Sequence, residues 1–269
     1  MGIVGADYMT HRLLHTSLPV ARQWYQIRSI SARLALEDDK NQNNYAHYVK
    51  LLCHRAAESN RHSMSILCVA DWPFFGSLPD WYYDYNLLAA AAYTNKCRII
   101  EELVDQPLNL RMIGGLFSHP HLCAAVAEND AALDLLFDKF ETDKNFLLPH
   151  VSCYATTRMV EKFAPTKPVT SPPHLRRFWT PPNDIYITPN VATFEMLMRL
   201  YPQHEIKQST WRWLLNIAVE HGWKDTIRHV IKMGAPVNVP DGKLQPSYVF
   251  SFGLVLSASP YRFPTDARL

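Results

Sequence analysis

A short helix of small residues, a tight turn and a second, amphipathic helix recur along this chain at spacings of roughly 32 to 35 residues, and this recurrence limits the possible folds most sharply. Asn86 to Asn95 carries the run Ala89-Ala90-Ala91-Ala92, and Ile99, Ile100, Leu103 and Val104 follow. His121 to Asn129 repeats the plan with Ala124 and Ala125, then Leu133, Leu136 and Phe137, placing Asn129 one repeat step after Asn95 at the same turn position. Leu214 to Gly222 does so again, with Ile227, Val230 and Ile231 behind it. Between them stand two weaker units: Ala155 with Met159, Val160 and Phe163, and Asn190 with Phe194, Leu197 and Met198. The steps from Ala155 to Asn190 and from Asn190 to Gly222 keep the period, whereas the step from Asn129 to Ala155 falls well short of it.

Small residues let neighbouring helices approach closely, and Gly or Asn at the turn adopts the left-handed backbone that ends a helix. One such pair cannot bury its apolar face alone, so several must stack. The stretch Gly222, then Gly234-Ala235-Pro236-Val237-Asn238, resembles the ankyrin repeat, in which a glycine separates the two helices and a Gly-Ala-Asp-Val-Asn element leads into the next hairpin. The resemblance implies an all-α, ankyrin-like helical repeat solenoid. The sequence departs from that pattern in two ways. No unit carries the Thr-Pro-Leu-His turn that opens the first helix in that family, and seven prolines between Pro165 and Pro189 exclude a regular helix where the fourth unit's first helix would stand.

Residues 1–80 lie outside the recurrence yet carry helical periodicity, with Leu13-Leu14, Ala21, Trp24-Tyr25 and Ile27 in one stretch and Tyr45, Tyr48-Val49 and Leu51-Leu52 in another. The expected organisation is an N-terminal helical segment (1–80), degenerate ankyrin-like repeats (81–242, with a Pro-rich loop at 165–189) and an irregular C-terminal cap (243–269) that includes the apolar run Val249 to Leu256. It resembles fungal ankyrin-type proteins that place a helical, sometimes F-box-like, segment ahead of their repeats.

Charge and cysteine usage narrow the function. The 27 basic and 25 acidic residues are scattered, so no basic stripe exists to neutralise phosphates, and nucleic acid is not an expected partner. No apolar run approaches the roughly 18 residues that span a membrane, and the N-terminus lacks a signal-peptide pattern. The five cysteines are odd in number and widely spaced, which suits reduced thiols. The expectation is an intracellular protein, cytoplasmic or nuclear, without a membrane partner.

No phosphate-binding glycine loop, nucleophile elbow, Cys-x-x-Cys pair or His-Glu-x-x-His helix is present, and no cofactor is expected. His119-Pro120-His121 offers two imidazoles without the third and fourth ligands of a zinc site, so no metal is expected either. The most unusual local feature is aromatic: Trp72, Phe74, Phe75, Trp81, Tyr82, Tyr83 and Tyr85 crowd the seam between the N-terminal segment and the first repeat. They could form a pocket or a partner anchor, or cap the first repeat and fix the N-terminal helices to it. Trp213 beside Trp211, and Trp179 within the Pro-rich loop, extend the set of candidate binding residues Trp72, Trp81, Tyr82, Tyr83 and Tyr85.

Two functions fit. By its resemblance the chain is a protein-protein interaction module that binds a protein partner. The alternative is a cofactor-independent enzyme, an isomerase, cyclase or pericyclic catalyst of a secondary-metabolite pathway, enclosing a small apolar ligand in an aromatic-lined pocket with Asp84, Tyr85, His119 and His121 as candidate polar groups.

Overall fold

The computed structural model describes residues 2–15, 22–38, 42–59, 80–106, 108, 110, 115–167, 186–201 and 208–235, and every regular element among them is helical. Three helices come first: α1 (Gly2–His15), α2 (Arg22–Glu37) and α3 (Gln42–Ser59). Helix α3 packs against both α1 and α2. The contact is built from residues three or four apart: Ala6, Met9 and Leu13 on α1, Ile27, Ile30 and Leu34 on α2, and Val49, Leu52, Cys53 and Ala56 on α3, all buried. Removing one such Leu or Ile from water contributes about 1.5–3 kcal/mol. Arg28 donates from Nε and Nη2 to the Leu13 carbonyl at 3.1 and 2.8 Å, satisfying an acceptor that the end of α1 leaves open.

Helix pairs follow: α4 (Asp80–Tyr93) with α5 (Cys97–Leu103), α6 (Pro120–Val126) with α7 (Asp130–Lys139), and α8 (Lys144–Tyr154) with α9 (Thr157–Glu161). Helix α10 (Val191–Leu200) comes next, then the pair α11 (Gln208–Glu220) and α12 (Lys224–Lys232). The first helices stack in order, α4 on α6 and α6 on α8, while α5 lies on α7 and α10 lies against α9 and α12. Ahead of α10, Tyr186, Ile187 and Thr188 are buried between α8 and α12. The Ile187 carbonyl accepts from Ser152 Oγ (3.3 Å) and Cys153 Sγ (3.0 Å) on α8, and Thr226 Oγ1 on α12 donates to the carbonyls of Thr188 (3.2 Å) and Pro189 (2.9 Å). Residues 168–185, most of the Pro-rich loop, and the tail from 236 onward lie outside the described residues.

The turns explain the spacing. Asn95, Glu128 and Gly222 have φ of 58°, 56° and 69°, and the amide after each reaches back five residues: Lys96 to Ala91 (2.8 Å), Asn129 to Ala124 (2.9 Å) and Trp223 to Ala218 (2.8 Å). This backbone pattern ends a helix on a left-handed residue. The left-handed residue of the second turn is therefore Glu128, one before the Asn129 that the sequence pattern pairs with Asn95. The N-caps of the second helices are Lys96, Asn129, Thr156, Asn190 and Trp223. Their steps agree to within a single residue, except the one from Asn129 to Thr156, which is several residues short. The short step is the turn from α8 to α9, where no left-handed residue occurs and the Ala155 amide bonds Val151 four residues back.

Each pair is also tied to the one before it. Asn129 Nδ2 donates to the carbonyls of Ala92 (3.0 Å) and Tyr93 (2.8 Å), while Asn95 Oδ1 accepts from the Ala132 amide (3.3 Å). On the outside, Arg158 of α9 pairs with Glu128 and Asp130, and Lys162 with Asp130 and Asp134. These contacts are exposed, so each contributes little by itself.

A β-carbon at a left-handed residue costs about 1–2 kcal/mol. Gly222→Ala should lower the free energy of unfolding by about 1 kcal/mol in a urea titration, whereas Glu128→Gly should not lower it, because there the strained side chain is already present.

Candidate functional site

The seam between the N-terminal helices and the first two pairs is fastened by polar groups inside an apolar core. Phe117 stands in the segment 115–119 that leads into α6, and its carbonyl accepts from Arg55 Nε at 3.1 Å and Ser59 Oγ at 2.9 Å, both on α3, and from Cys123 Sγ at 3.0 Å. Arg55 is buried, with its guanidinium carbon 5.7 Å from the centre of the Tyr93 ring and Nη1 3.7 Å from Glu58. Asn86, fully buried on α4, accepts the Leu116 amide at 2.8 Å and donates to Gln26 Oε1 on α2 at 2.8 Å. Three helices, α3, α4 and α6, thus bond one short segment, and α4 in turn holds α2, with donors and acceptors paired as burial demands.

Tyr85, a candidate catalytic and binding residue, is fully buried here. A β-carbon placed on Gly115 would lie 2.5 and 2.9 Å from its ring and 3.0 Å from Asn86 Oδ1. The ring and the backbone of Gly115 are in direct packing contact, which leaves no room for a ligand on that side. Burial pushes the Tyr85 phenol well above its ordinary pKa, and it pushes Tyr82 up as well, with a hydrogen bond to Asn86 working against the shift. Tyr83 is half-buried against the core, raised mainly by burial and then by the neighbouring Asp84 carboxylate, and Asp84 itself lies half-buried on α4. Of the other aromatic candidates, Trp72 and Trp179 lie outside the described residues. Trp81 and Trp213 fall on α4 and α11, but their side chains are not among those described.

His119 and His121 come together at the start of α6, with ring centres 5.1 Å apart. His119 is the N-cap: its Nδ1 accepts the His121 amide at 3.3 Å and Pro120 follows at the first helical position. Because Nδ1 accepts, Nε2 carries the proton and donates to the Leu110 carbonyl at 2.8 Å. Both nitrogens are committed in one neutral tautomer, an arrangement that serves the helix start rather than proton transfer. Burial lowers its pKa to about 4. His121, its ring tilted at 52° against Phe137 and 3.0 Å from Thr142 Oγ1, is pushed down by burial and then by His119. Asp84 and Tyr85 sit on α4 and the two histidines at the head of α6, so the four polar candidates divide between two places. Among the described residues no group of three His, Cys, Asp or Glu side chains could hold a metal ion, and no helix is long and apolar enough to cross a membrane. The described cysteines Cys53, Cys97, Cys123 and Cys153 are free thiols.

A second feature lies on α8. Phe146, His150 and Tyr154 recur every four residues along one face, with Phe146 and His150 rings meeting edge to face at 6.4 Å. Phe146 and His150 are half-buried and Tyr154 is 54% exposed, whereas Leu147, Leu148 and Val151 of the same helix are buried. In contrast, Leu87 to Ala92 of α4 and Pro120 to Ala125 of α6 are buried on every side. Sequence reading passed over this line because its spacing is that of an ordinary core stripe. It passed over Arg55, Asn86 and Gly115 as well, although Gly114-Gly115 is the chain's one adjacent glycine pair.

No family model matches this chain, and neither a curated protein nor a solved structure is significantly similar to it.

Gly115→Ala should destabilise the fold by about 1–3 kcal/mol through overpacking. Tyr85→Leu, which removes the obstructing ring atoms, should make the second change less costly in the double variant than in the wild type, measured as a non-additive double-mutant cycle in urea. His119 binds its proton in the unfolded chain below about pH 6.5 but in the folded chain only below about 4. Between those values the unfolded state holds more protons, so its contribution to stability is intact above pH 6.5 and falls away toward pH 4, by about 3 kcal/mol in all. His119→Asn should make that part of the stability profile less steep, with the slope that remains coming from His121 and His150, which burial also lowers.

Proposed function

We propose that this chain is an ankyrin-like helical repeat solenoid acting as a protein-protein interaction module, and that the α8 line Phe146–His150–Tyr154 faces the partner. Support for the repeat reading comes from the near-constant steps between N-caps, the left-handed turns and the side-chain bonds from each pair to the last. The pair His119-Pro120 supports it further: a capping acceptor followed by proline at the first helical position does for α6 what Thr-Pro does in the family's Thr-Pro-Leu-His turn.

The observation that carries the binding reading is the exposed Tyr154 at the end of the aromatic line on α8, beside first helices that are buried on all sides. Tyrosine brings a large, rigid contact area with a polar tip, and such residues dominate the energetics of protein interfaces. A half-exposed Tyr154 can be recruited without unfolding anything, and the half-buried Phe146 and His150 hold its surroundings in place.

Tyr154→Asp tests this. Its position on the surface predicts an unchanged melting temperature, within the small effects usual for exposed substitutions. A hot spot of about 2 kcal/mol predicts about thirtyfold weaker retention of a partner recovered by the wild-type chain in quantitative affinity purification. Equal recovery by both proteins would reject the α8 surface.

A further inference from the structure

The last described helix pair presents to solvent the positions that the earlier pairs bury. Three residues before the left-handed turn stand Ala92, Ala125 and Val219; the alanines are fully buried, and Val219 is 58% exposed. Six before the turn, Ala89 and Leu122 are buried and Asn216 is exposed. Five after it, on the second helix, Ile100 and Leu133 are fully buried and Ile227 is only half-buried. The first two pairs each have a following pair against them, α6 and α7 on α4 and α5, then α8 on α6. The difference at Val219, Asn216 and Ile227 is therefore the footprint of a following layer, and Ile231 and Met233 extend the open apolar surface on α12.

We infer that this face of α11 and α12 is the seat of the chain's own segment Val249–Leu256. The step between pairs fixes where such a layer must come from. Counted on from Asn216–Trp223, one further step of the length that separates Lys96 from Asn129 arrives at Val249–Leu256. Six of its eight residues, Val249, Phe250, Phe252, Leu254, Val255 and Leu256, are apolar. The chain also leaves α12 in the right manner. Gly234 (φ 99°) turns it, the Ala235 amide bonds the Val230 carbonyl at 3.1 Å, and Ala235 is buried. The stretch from Ala235 to Ser247 reaches up to about 40 Å when extended, several times the roughly 10 Å between packed helices. A tethered segment within that reach competes at an effective concentration of the order of millimolar, far above that of a free partner.

This inference rests on the helix-pair recurrence and not on the partner surface of α8, so the two are tested by different readouts. Hydrogen exchange of the full chain, followed by peptide mass spectrometry, decides it. Amides of 247–256 and of 215–221 should both be protected, and Phe250→Asp with Phe252→Asp should raise exchange in both stretches at least about tenfold while leaving 120–139 unchanged. Because those two substitutions lie outside α11 and α12, a rise at 215–221 cannot come from direct damage to these helices. Val219→Asp should in turn release 247–256. Exchange of 247–256 at the unprotected rate in the wild type would overturn the proposal. So would protection of 215–221 that varies with protein concentration, which would assign the face to a second copy.

Discussion

One backbone carbonyl gathers the polar bonds that tie helix α3 to the first helix pairs. The Phe117 oxygen takes a guanidinium N–H and a hydroxyl from α3 and a thiol from α6, while the adjoining Leu116 amide is held by Asn86, which in turn holds Gln26 of α2. An unpaired group at this depth would cost about 1–3 kcal/mol, so these partners act as a set, and each requires the others to keep its place. The three N-terminal helices are thereby made part of the core of the first two pairs. Together with the helix pairs that follow them, this accounts for the burial of α4 and α6 on every side.

The same constraint gives the aromatic seam its character. Tyr85 lies against a glycine backbone with no space for a β-carbon, and the neighbouring Tyr82 is tied to Asn86. Rings that the sequence offers as the lining of a pocket are, for these two, packing and anchoring groups. Exposed rings stand elsewhere, Tyr8 on α1, Tyr25 on α2 and Tyr154 on α8, the last where the shortened step to α9 and the segment Tyr186–Thr188 alter what covers the helix. Irregularity in the series and an open aromatic face thus coincide.

Much of the fold was legible. The alanine runs at Ala89–Ala92 and Ala124–Ala125, the paired apolar stripes behind them and the turn residues place α4 to α7 and α11 to α12 correctly, because small residues and left-handed turns are local requirements written in residue type. The register of the second turn was missed by one residue: Glu128 has no β-carbon-free backbone to announce it, and the adjacent Asn129 has the more typical chemistry. The candidate site was less legible. His119 and His121 read as possible acid-base groups in sequence, and only their neighbours show that one caps α6 and that both are held neutral by burial.

The sequence by itself determined that the described elements are helical, that helices after the N-terminal segment recur in pairs, and roughly where those pairs turn, since periodicity, proline placement and turn chemistry act over a few residues. Tertiary structure decided which faces those helices keep and which they give up: that Arg55 reaches 62 residues along the chain to Phe117, that α4 and α6 are enclosed, that α8 stays open and that Val219 stands bare where Ala92 and Ala125 are covered. Burial depends on what packs from far away in sequence, and an apolar residue carries the same local signal whether its neighbour arrives or not.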